Sequence, residues 1–120
     1  MSETLYDRLG GLDGITRLVD DIADAHLNNP IVKTRFEVIE DLDQTKQWLV
    51  EFVCAGTGGP QAYTGRDMIS THKGMNISEQ EYLAVVDDIM SAMDKNQLSE
   101  PVKSEILSIV YSIKEEIIRV

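Results

Sequence analysis

Residues 59–75 read GPQAYTGRDMISTHKGM. The opening residues favour a turn, and Thr64 followed three places later by Asp67 is typical of a capped helix start. The short helix that follows carries Met68 and His72 four residues apart, so their side chains share one face. A lysine and a glycine come next, as is common where a helix ends. Because the chain has only two histidines, this imidazole at the end of a firmly bounded helix is the first candidate for chemistry.

The bulk composition indicates one globular domain over residues 1–120, with 42% hydrophobic and 27% charged residues. The single cysteine, Cys54, excludes an internal disulfide and a multi-cysteine metal site, and its apolar surroundings favour a packed thiol. A net charge of −10 argues against nucleic acid and anionic membranes as partners. The sequence has neither an apolar stretch of membrane-spanning length nor a signal-peptide pattern, so we expect a cytoplasmic protein.

Four longer segments carry apolar residues at three- and four-residue steps, which predicts four amphipathic helices. The stripes are Leu12, Ile15, Leu18, Val19, Ile22 and His26; Leu42, Thr45, Trp48, Leu49, Phe52 and Val53; Tyr82, Val85, Val86, Ile89, Met90 and Met93; and Val102, Ile106, Ile109, Val110, Ile113 and Ile117. Ser78 and Glu81 form a capping box before the third segment. No segment alternates with the period of a strand, so we predict an all-α fold.

Three motifs now coincide: LYDRLGG at residues 5–11, the pair Gly58-Gly59, and YTGRDM at residues 63–68 leading to His72. In this order and spacing the chain resembles the group I truncated haemoglobins over nearly its whole length. The resemblance implies a two-over-two helical sandwich around haem b, with His72 as the proximal iron ligand. Neutral imidazole suits iron ligation. The alternative is a surface histidine that the helix dipole stabilises.

The resemblance also implies further contacts with the haem. Phe36 would pack against it or serve as an ordinary core aromatic, and Met68 would line the proximal side. Arg66 and Lys73 would pair with the propionates or remain solvated charges. The predicted cofactor-binding residues are Phe36, Thr45, Trp48, Leu49, Arg66, Met68, His72, Lys73, Val86 and Ile113.

The distal side departs from the family. Ile22 and Ala23 fall where group I proteins commonly carry a Phe-Tyr pair, so the tyrosine that donates a hydrogen bond to bound dioxygen is missing. Trp48 has an indole N–H that can donate to a gas but cannot ligate iron; it is equally well a space-filler. His26 could be a sixth ligand, although a histidine near a helix end is more often a capping or dipole partner. We therefore expect a less polar distal pocket.

The favoured function is binding of a diatomic gas (O2, NO or CO) for oxygen storage, NO detoxification or gas sensing. As an enzyme, an NO dioxygenase would need a separate reductase, because the sequence has no flavin or nicotinamide motif. One alternative is a six-coordinate haem protein for electron transfer or redox signalling, with His26 as the only other histidine. Another is a haem-free helical interaction domain, against which the retained His72 and Phe36 count. We expect a monomer or weak dimer.

Overall fold

The computed structural model describes residues 3–120, and over this range the chain forms seven α-helices and one 3-10 turn, without a strand. The helices are α1 (Leu5–Arg8), α2 (Gly11–Leu27), α3 (Lys33–Glu37), α4 (Leu42–Gly56), α5 (Met68–His72), α6 (Glu79–Lys95) and α7 (Glu100–Ser112), and the 3-10 turn is Lys114–Glu116. The all-α prediction is confirmed. None of the helices in the described range is long and apolar enough to cross a membrane.

The second helix is the centre of the fold, because α2 packs against both α4 and α6, and α7 packs on α6. Its predicted stripe is buried except for Leu12, which is 45% exposed, and Ile15 and Val19 are fully enclosed. Burying an aliphatic side chain of this size stabilises a fold by about 1.5–3 kcal/mol. The principal core consists of Leu9, Ile15, Leu18, Val19, Ile22, Val50, Cys54, Ala92, Met93, Val102 and Ile106. Cys54 is thus a packed thiol, as predicted, and burial raises its pKa.

Of the two predicted helix caps, the structure confirms one. The Ser78 hydroxyl accepts from the Glu81 amide at 3.1 Å, and a Glu81 carboxylate oxygen accepts from the Ser78 amide at 3.0 Å, which confirms the capping box. The predicted cap at Thr64 was wrong: Asp67 caps α5 by accepting from the Ser70 amide at 2.7 Å. A cap at Thr64 would make Asp67 the third residue of the helix, but aspartate is itself a strong N-cap, and the helix begins directly after it.

The last helix is shorter than its apolar stripe predicted. It ends at Ser112, and the chain then forms the 3-10 turn and folds back so that Ile118 pairs with Ile77 in an isolated parallel bridge. The predicted stripe extends to Ile117, beyond the end of the helix, because the returning segment also carries apolar residues that pack against the fold. Sequence periodicity does not distinguish a continuous helix from a helix followed by such a turn.

Candidate cofactor site

The candidate site begins with the hydrogen bond of His72. Its Nδ1 lies 2.8 Å from the backbone carbonyl oxygen of Met68, one turn earlier on α5. A carbonyl only accepts, so Nδ1 carries the proton and Nε2 keeps a free lone pair in the neutral ring. This is the arrangement in which a second hydrogen bond orients a histidine for metal ligation. The ring is half-buried.

The short α5 helix is held at both ends. Asp67 caps its beginning, and hydrogen bonding to the Ser70 amide lowers the pKa of that carboxyl. Beyond its end, Gly74 takes a left-handed conformation (φ +85°) that favours glycine, and its amide donates to the carbonyl of Val120 at 3.2 Å. The 3-10 turn of the C-terminal segment packs on α5. The helix of five residues is therefore stabilised by the end of the chain and not by its own length.

The loop before α5 is tied to α4. Glu51 accepts two hydrogen bonds from Thr64, one from the amide at 3.0 Å and one from the hydroxyl at 2.7 Å. The Phe52 and Tyr63 rings meet edge to face at 5.3 Å between centroids, and the Tyr63 hydroxyl donates to the Arg66 carbonyl. These contacts fix the loop that leads from α4 to His72.

The fourth helix presents two apolar faces, and the prediction of its core-facing side was wrong for Trp48 and Leu49, although Val53 packs against the core. Val50 and Cys54 are the residues of α4 that are buried in the protein core. Trp48 and Leu49, predicted to point inward, are 40% and 36% exposed. A helix turns about 100° per residue, so Val50 and Cys54 lie roughly opposite Thr45 and its neighbours Trp48 and Leu49. Two large apolar side chains are thus left on a face that the protein core does not use.

The hydroxyl of Thr45 is already engaged and is therefore a poor candidate for donating a hydrogen bond to a ligand. Thr45 is half-buried on the same face as Trp48, but its hydroxyl donates to the carbonyl of Asp41 at 3.1 Å within the first turn of α4. A hydroxyl that already donates to its own helix has only its lone pairs left to offer. The distal residues of α2, Ile22 and Ala23, are both buried.

His26 lies in a buried polar cluster, far from the helix-capping role predicted for it. Its Nδ1 is 2.7 Å from Oδ2 of Asp88 on α6, and its ring stacks on that of Phe36, with centroids 4.5 Å apart and planes 20° from parallel. Asn29 donates to both carboxylate oxygens of Asp88, at 3.1 and 3.2 Å. Phe36 itself is half-buried.

The remaining predicted residues lie in several parts of the fold. Arg66 and Lys73 are exposed on either side of α5, and within residues 3–120 neither makes an ion pair. Val86 is buried on α6, whereas Ile113 is half-buried at the end of α7. Thus the structure joins Met68 directly to His72 and links their segment to α4 through the loop. Phe36 belongs instead to the His26 cluster.

The sequence analysis did not predict two contacts of this arrangement: the pairing of Asp88 with His26, and the hydrogen bonds between Glu51 and Thr64. A signal existed for the first: Asp88 stands four residues from both Ala84 and Ala92, and all three are buried. An acid in register with two small buried residues, together with a histidine on the apolar stripe of α2, indicates a buried pair, because a buried polar group needs a partner. We find no local signal for the bond between Glu51 and Thr64.

Comparison with known proteins identifies the family. A model of the bacterial-like globin family matches residues 4–119. A group 1 truncated haemoglobin of Tetrahymena pyriformis is 25% identical over 116 residues, which are 97% of this chain and 95% of that protein. One from a Nostoc species is 30% identical over 90 residues, or 75% of each chain. The crystal structure of truncated haemoglobin from Tetrahymena pyriformis in its Fe(III) form superposes with a TM-score of 0.92 at 23% identity, over 98% of this chain and 100% of that one.

The helical architecture and the family match define a globin with the two-over-two fold, as the sequence motifs predicted. The chain belongs to the bacterial-like globin family, and its relatives are group 1 truncated haemoglobins. Globins of this family bind haem and small diatomic gases. The residues present fit such a group: His72 offers a free Nε2, and Trp48 and Leu49 offer apolar surface outside the protein core.

Proposed function

We propose that this chain binds haem b through Nε2 of His72 and takes up a diatomic gas at the iron. The observation that carries the proposal is the hydrogen bond from Nδ1 of His72 to the Met68 carbonyl, which fixes the tautomer and directs the other nitrogen away from the helix. The cap of α5 and the loop contacts with α4 then hold the ring in one orientation.

The apolar residues outside the core would form the walls of the pocket. Trp48 and Leu49 on α4 gain the burial that the protein alone does not give them, and each would contribute about 25 cal/mol per Å² of apolar surface covered. The half-buried Phe36, Met68 and Ile113 would complete this lining together with Val86, which is already buried on α6, and Thr45 would lie at its edge.

Arg66 and Lys73 would pair with the two propionates. Both are exposed cations without an ion-pair partner in residues 3–120, and they flank the helix that carries the proposed ligand. On a protein with a net charge of −10, a carboxylate-bearing ligand needs such local cations to enter against the overall repulsion. Charge-assisted hydrogen bonds of this kind are stronger than neutral ones.

The iron, when haem is bound, supplies the position at which O2, NO or CO coordinates. The chain's own residues hold the group and exclude water from it. Oxygen storage, gas sensing and NO dioxygenation are all compatible with this site. Dioxygenation would draw its electrons from a separate reductase. We propose a single globin domain that acts as a monomer or weak dimer.

The test compares replacements of the two histidines. Purified parent protein, His72→Gly and His26→Gln are titrated with haemin, and spectra are recorded for the ferric, ferrous and CO-bound forms. We expect His72→Gly to lose the spectrum of a histidine-ligated haem and to regain it when free imidazole is added. His26→Gln should retain it. A wild-type spectrum in His72→Gly without imidazole would show that the proximal assignment is wrong.

A further inference from the structure

The buried pair of His26 and Asp88 is a second polar centre, separate from His72. The two side chains are 7% and 12% exposed, and the 2.7 Å contact between them joins α2 to α6. Asn29 completes the set, because its amide nitrogen donates to Asp88 while its side-chain oxygen accepts from the amide of Ile31 at 3.1 Å. Neither His26 nor Asp88 belongs to the principal hydrophobic core. Burying a carboxylate is unfavourable unless it is paired and hydrogen-bonded, and here it is both.

This centre is built around the short helix that carries Phe36. Backbone amides of Val32 and Lys33 donate to the Asn29 carbonyl at 3.1 and 2.8 Å, so the same residue that binds Asp88 also starts α3. The imidazole of His26 then lies almost parallel to the Phe36 ring. An aromatic side chain has few rotamers, and a flat partner on one face leaves only the other face for contact with a ligand.

A second link to α6, which comes from α3, serves as a comparison. Arg35 donates to Glu81 through Nε at 2.5 Å and through a terminal nitrogen at 3.1 Å. This ion pair joins α3 to α6, and its two hydrogen bonds involve neither His26 nor the Phe36 ring, whereas the pair of His26 and Asp88 joins α2 to α6. Arg35 therefore offers a matched control, because its replacement removes a link to α6 without removing the ring that stacks on Phe36.

We infer that His26, held in place by Asp88, is a positioning residue that sets the orientation of the Phe36 ring and thereby one wall of the haem pocket. The inference rests on the proposed function, since Phe36 acts on the haem only if haem is bound. The neutral imidazole donates a hydrogen bond from Nδ1–H to the Asp88 carboxylate. Its orientation is thereby fixed, and the face of the ring that stacks on Phe36 restrains that side chain.

The test compares five proteins: the parent, His26→Gln, Asp88→Ala, the conservative Asp88→Asn, and Arg35→Gln as the matched control. Haemin loss is measured by transfer to excess apomyoglobin, and the C–O stretching frequency of the ferrous CO complex reports the pocket. Loss of a stacked aromatic partner corresponds to up to about a tenfold change in an equilibrium constant. We expect His26→Gln and Asp88→Ala to lose haemin roughly tenfold faster and to shift the stretching band. Asp88→Asn retains an oxygen acceptor, so it should stay close to the parent.

The control variant Arg35→Gln should lower stability to urea without shifting the band. If Arg35→Gln accelerates haemin loss as much as His26→Gln does, the cluster is merely structural and the inference is overturned. An unchanged band and rate in His26→Gln overturns it as well. If Asp88→Ala does not fold, His26→Gln still decides, because glutamine keeps a donor for Asp88 and removes only the ring.

A separate measurement distinguishes failure of this inference from failure of the proposed function. In haem-free parent protein, nuclear Overhauser effects between the His26 and Phe36 rings report the stack directly. If the parent takes up no haemin, the proposed function fails, and the role of His26 towards the haem fails with it. The ring contacts then show whether His26 restrains Phe36 at all, and their absence refutes the remaining half of the inference.

Discussion

Glu51 holds Thr64 by two hydrogen bonds, from its amide at 3.0 Å and from its hydroxyl at 2.7 Å, and so closes the loop between α4 and α5. These bonds lower the pKa of the Glu51 carboxyl, so the tether persists somewhat below the pH at which a free glutamate becomes protonated and is lost as the pH falls through that lowered value. The loop leads directly to His72. Its local stability therefore bears on how firmly the proposed ligand is presented.

Removing one of the two bonds should loosen this loop. In Thr64→Val the hydroxyl is replaced by a methyl group of similar size, and we expect amide hydrogen exchange across residues 61–67 to accelerate about fivefold. Thr16→Val is the matched control, because the Thr16 hydroxyl donates within its own helix to Leu12. Exchange in the loop that stayed at the parent's rate would show that the amide bond to Glu51 suffices.

Gly14 is required by a close backbone approach. A Cβ atom placed on Gly14 would lie 2.0 Å from the carbonyl oxygen of Leu9, whereas a Cβ on Gly56 would meet nothing within 4 Å. Both glycines are in helices, where alanine is ordinarily better by about 1 kcal/mol. We expect Gly14→Ala to lower the free energy of unfolding by about 1–3 kcal/mol and Gly56→Ala to leave it unchanged or slightly higher. Urea unfolding of the two variants checks both; equal behaviour would refute the steric argument.

The His26 cluster should make the fold sensitive to mild acid. Burial lowers the pKa of His26 below its ordinary value of 6.5, and this outweighs the effect of the hydrogen bond that His26 donates to Asp88, which raises the pKa. Below about pH 6.5 the unfolded chain therefore binds a proton that the folded chain does not, so the free energy of unfolding decreases as the pH falls. For one proton the slope is at most about 1.4 kcal/mol per pH unit.

Urea unfolding between pH 7.5 and 5.5 measures this slope. We expect His26→Gln to flatten it, whereas Arg35→Gln, which removes an ion pair without removing a group that titrates in this range, should keep it. A parent whose stability rose on acidification would mean that the carboxylate of Asp88 dominates and that the folded protein takes up the proton.

The fold was predictable because its signals are local. Caps, glycine breaks and three-four periodicity lie within a few residues of each other, and even where Asp67 replaced Thr64 as the cap, the helix still ended at His72. The faces of α4 were harder to assign. Apolar residues lie on both sides of that helix, and periodicity does not tell which apolar face contacts protein and which is left for a cofactor. Trp48 and Leu49 were therefore placed inside, although Val50 and Cys54 fill the core.

The His26 cluster shows the other limit. Its partner Asp88 is 62 residues away, and no local spacing specifies that α2 and α6 cross at this point. The family motifs could point to His72 as the proposed ligand because the loop and helix around it are contiguous in sequence. A site assembled from α2, α3 and α6 becomes visible only once the packing of those helices is known.

Haem should add substantially to stability if it fills the apolar face of α4. A ligand that binds only the native state at a thousandfold over its dissociation constant adds about 4 kcal/mol. For a domain of this size we expect the melting temperature to rise by roughly 15 °C on saturation with haemin. Thermal melts of the haem-free and haem-loaded protein measure this rise. His72→Gly is the control, and its melting temperature should rise less. Equal midpoints would place the haem at the periphery.

On the distal side of the proposed pocket, Ala23 stands where the resemblance to group I proteins predicts a tyrosine. Ala23 is buried on α2, and Trp48 on α4 is the aromatic residue with a polar N–H on the face left free by the core. A hydrogen bond to a strongly polarised ligand contributes about 1.5–3 kcal/mol, or one to two powers of ten in an equilibrium constant. Carbon monoxide is less polarised than dioxygen, so its binding should depend less on such a donor.

We therefore expect Ala23→Tyr to slow dioxygen release by roughly 10- to 100-fold relative to Ala23→Phe, which adds the same bulk without the hydroxyl. Carbon monoxide release should differ much less between the two variants. Trp48→Phe should accelerate dioxygen release if the indole donates, and an unchanged rate would make Trp48 a space-filler. Stopped-flow displacement measures all four proteins. If the parent already releases dioxygen as slowly as Ala23→Tyr does, another donor holds the gas: Thr45 becomes the next candidate despite the bond of its hydroxyl to Asp41, and its replacement by valine would then accelerate release.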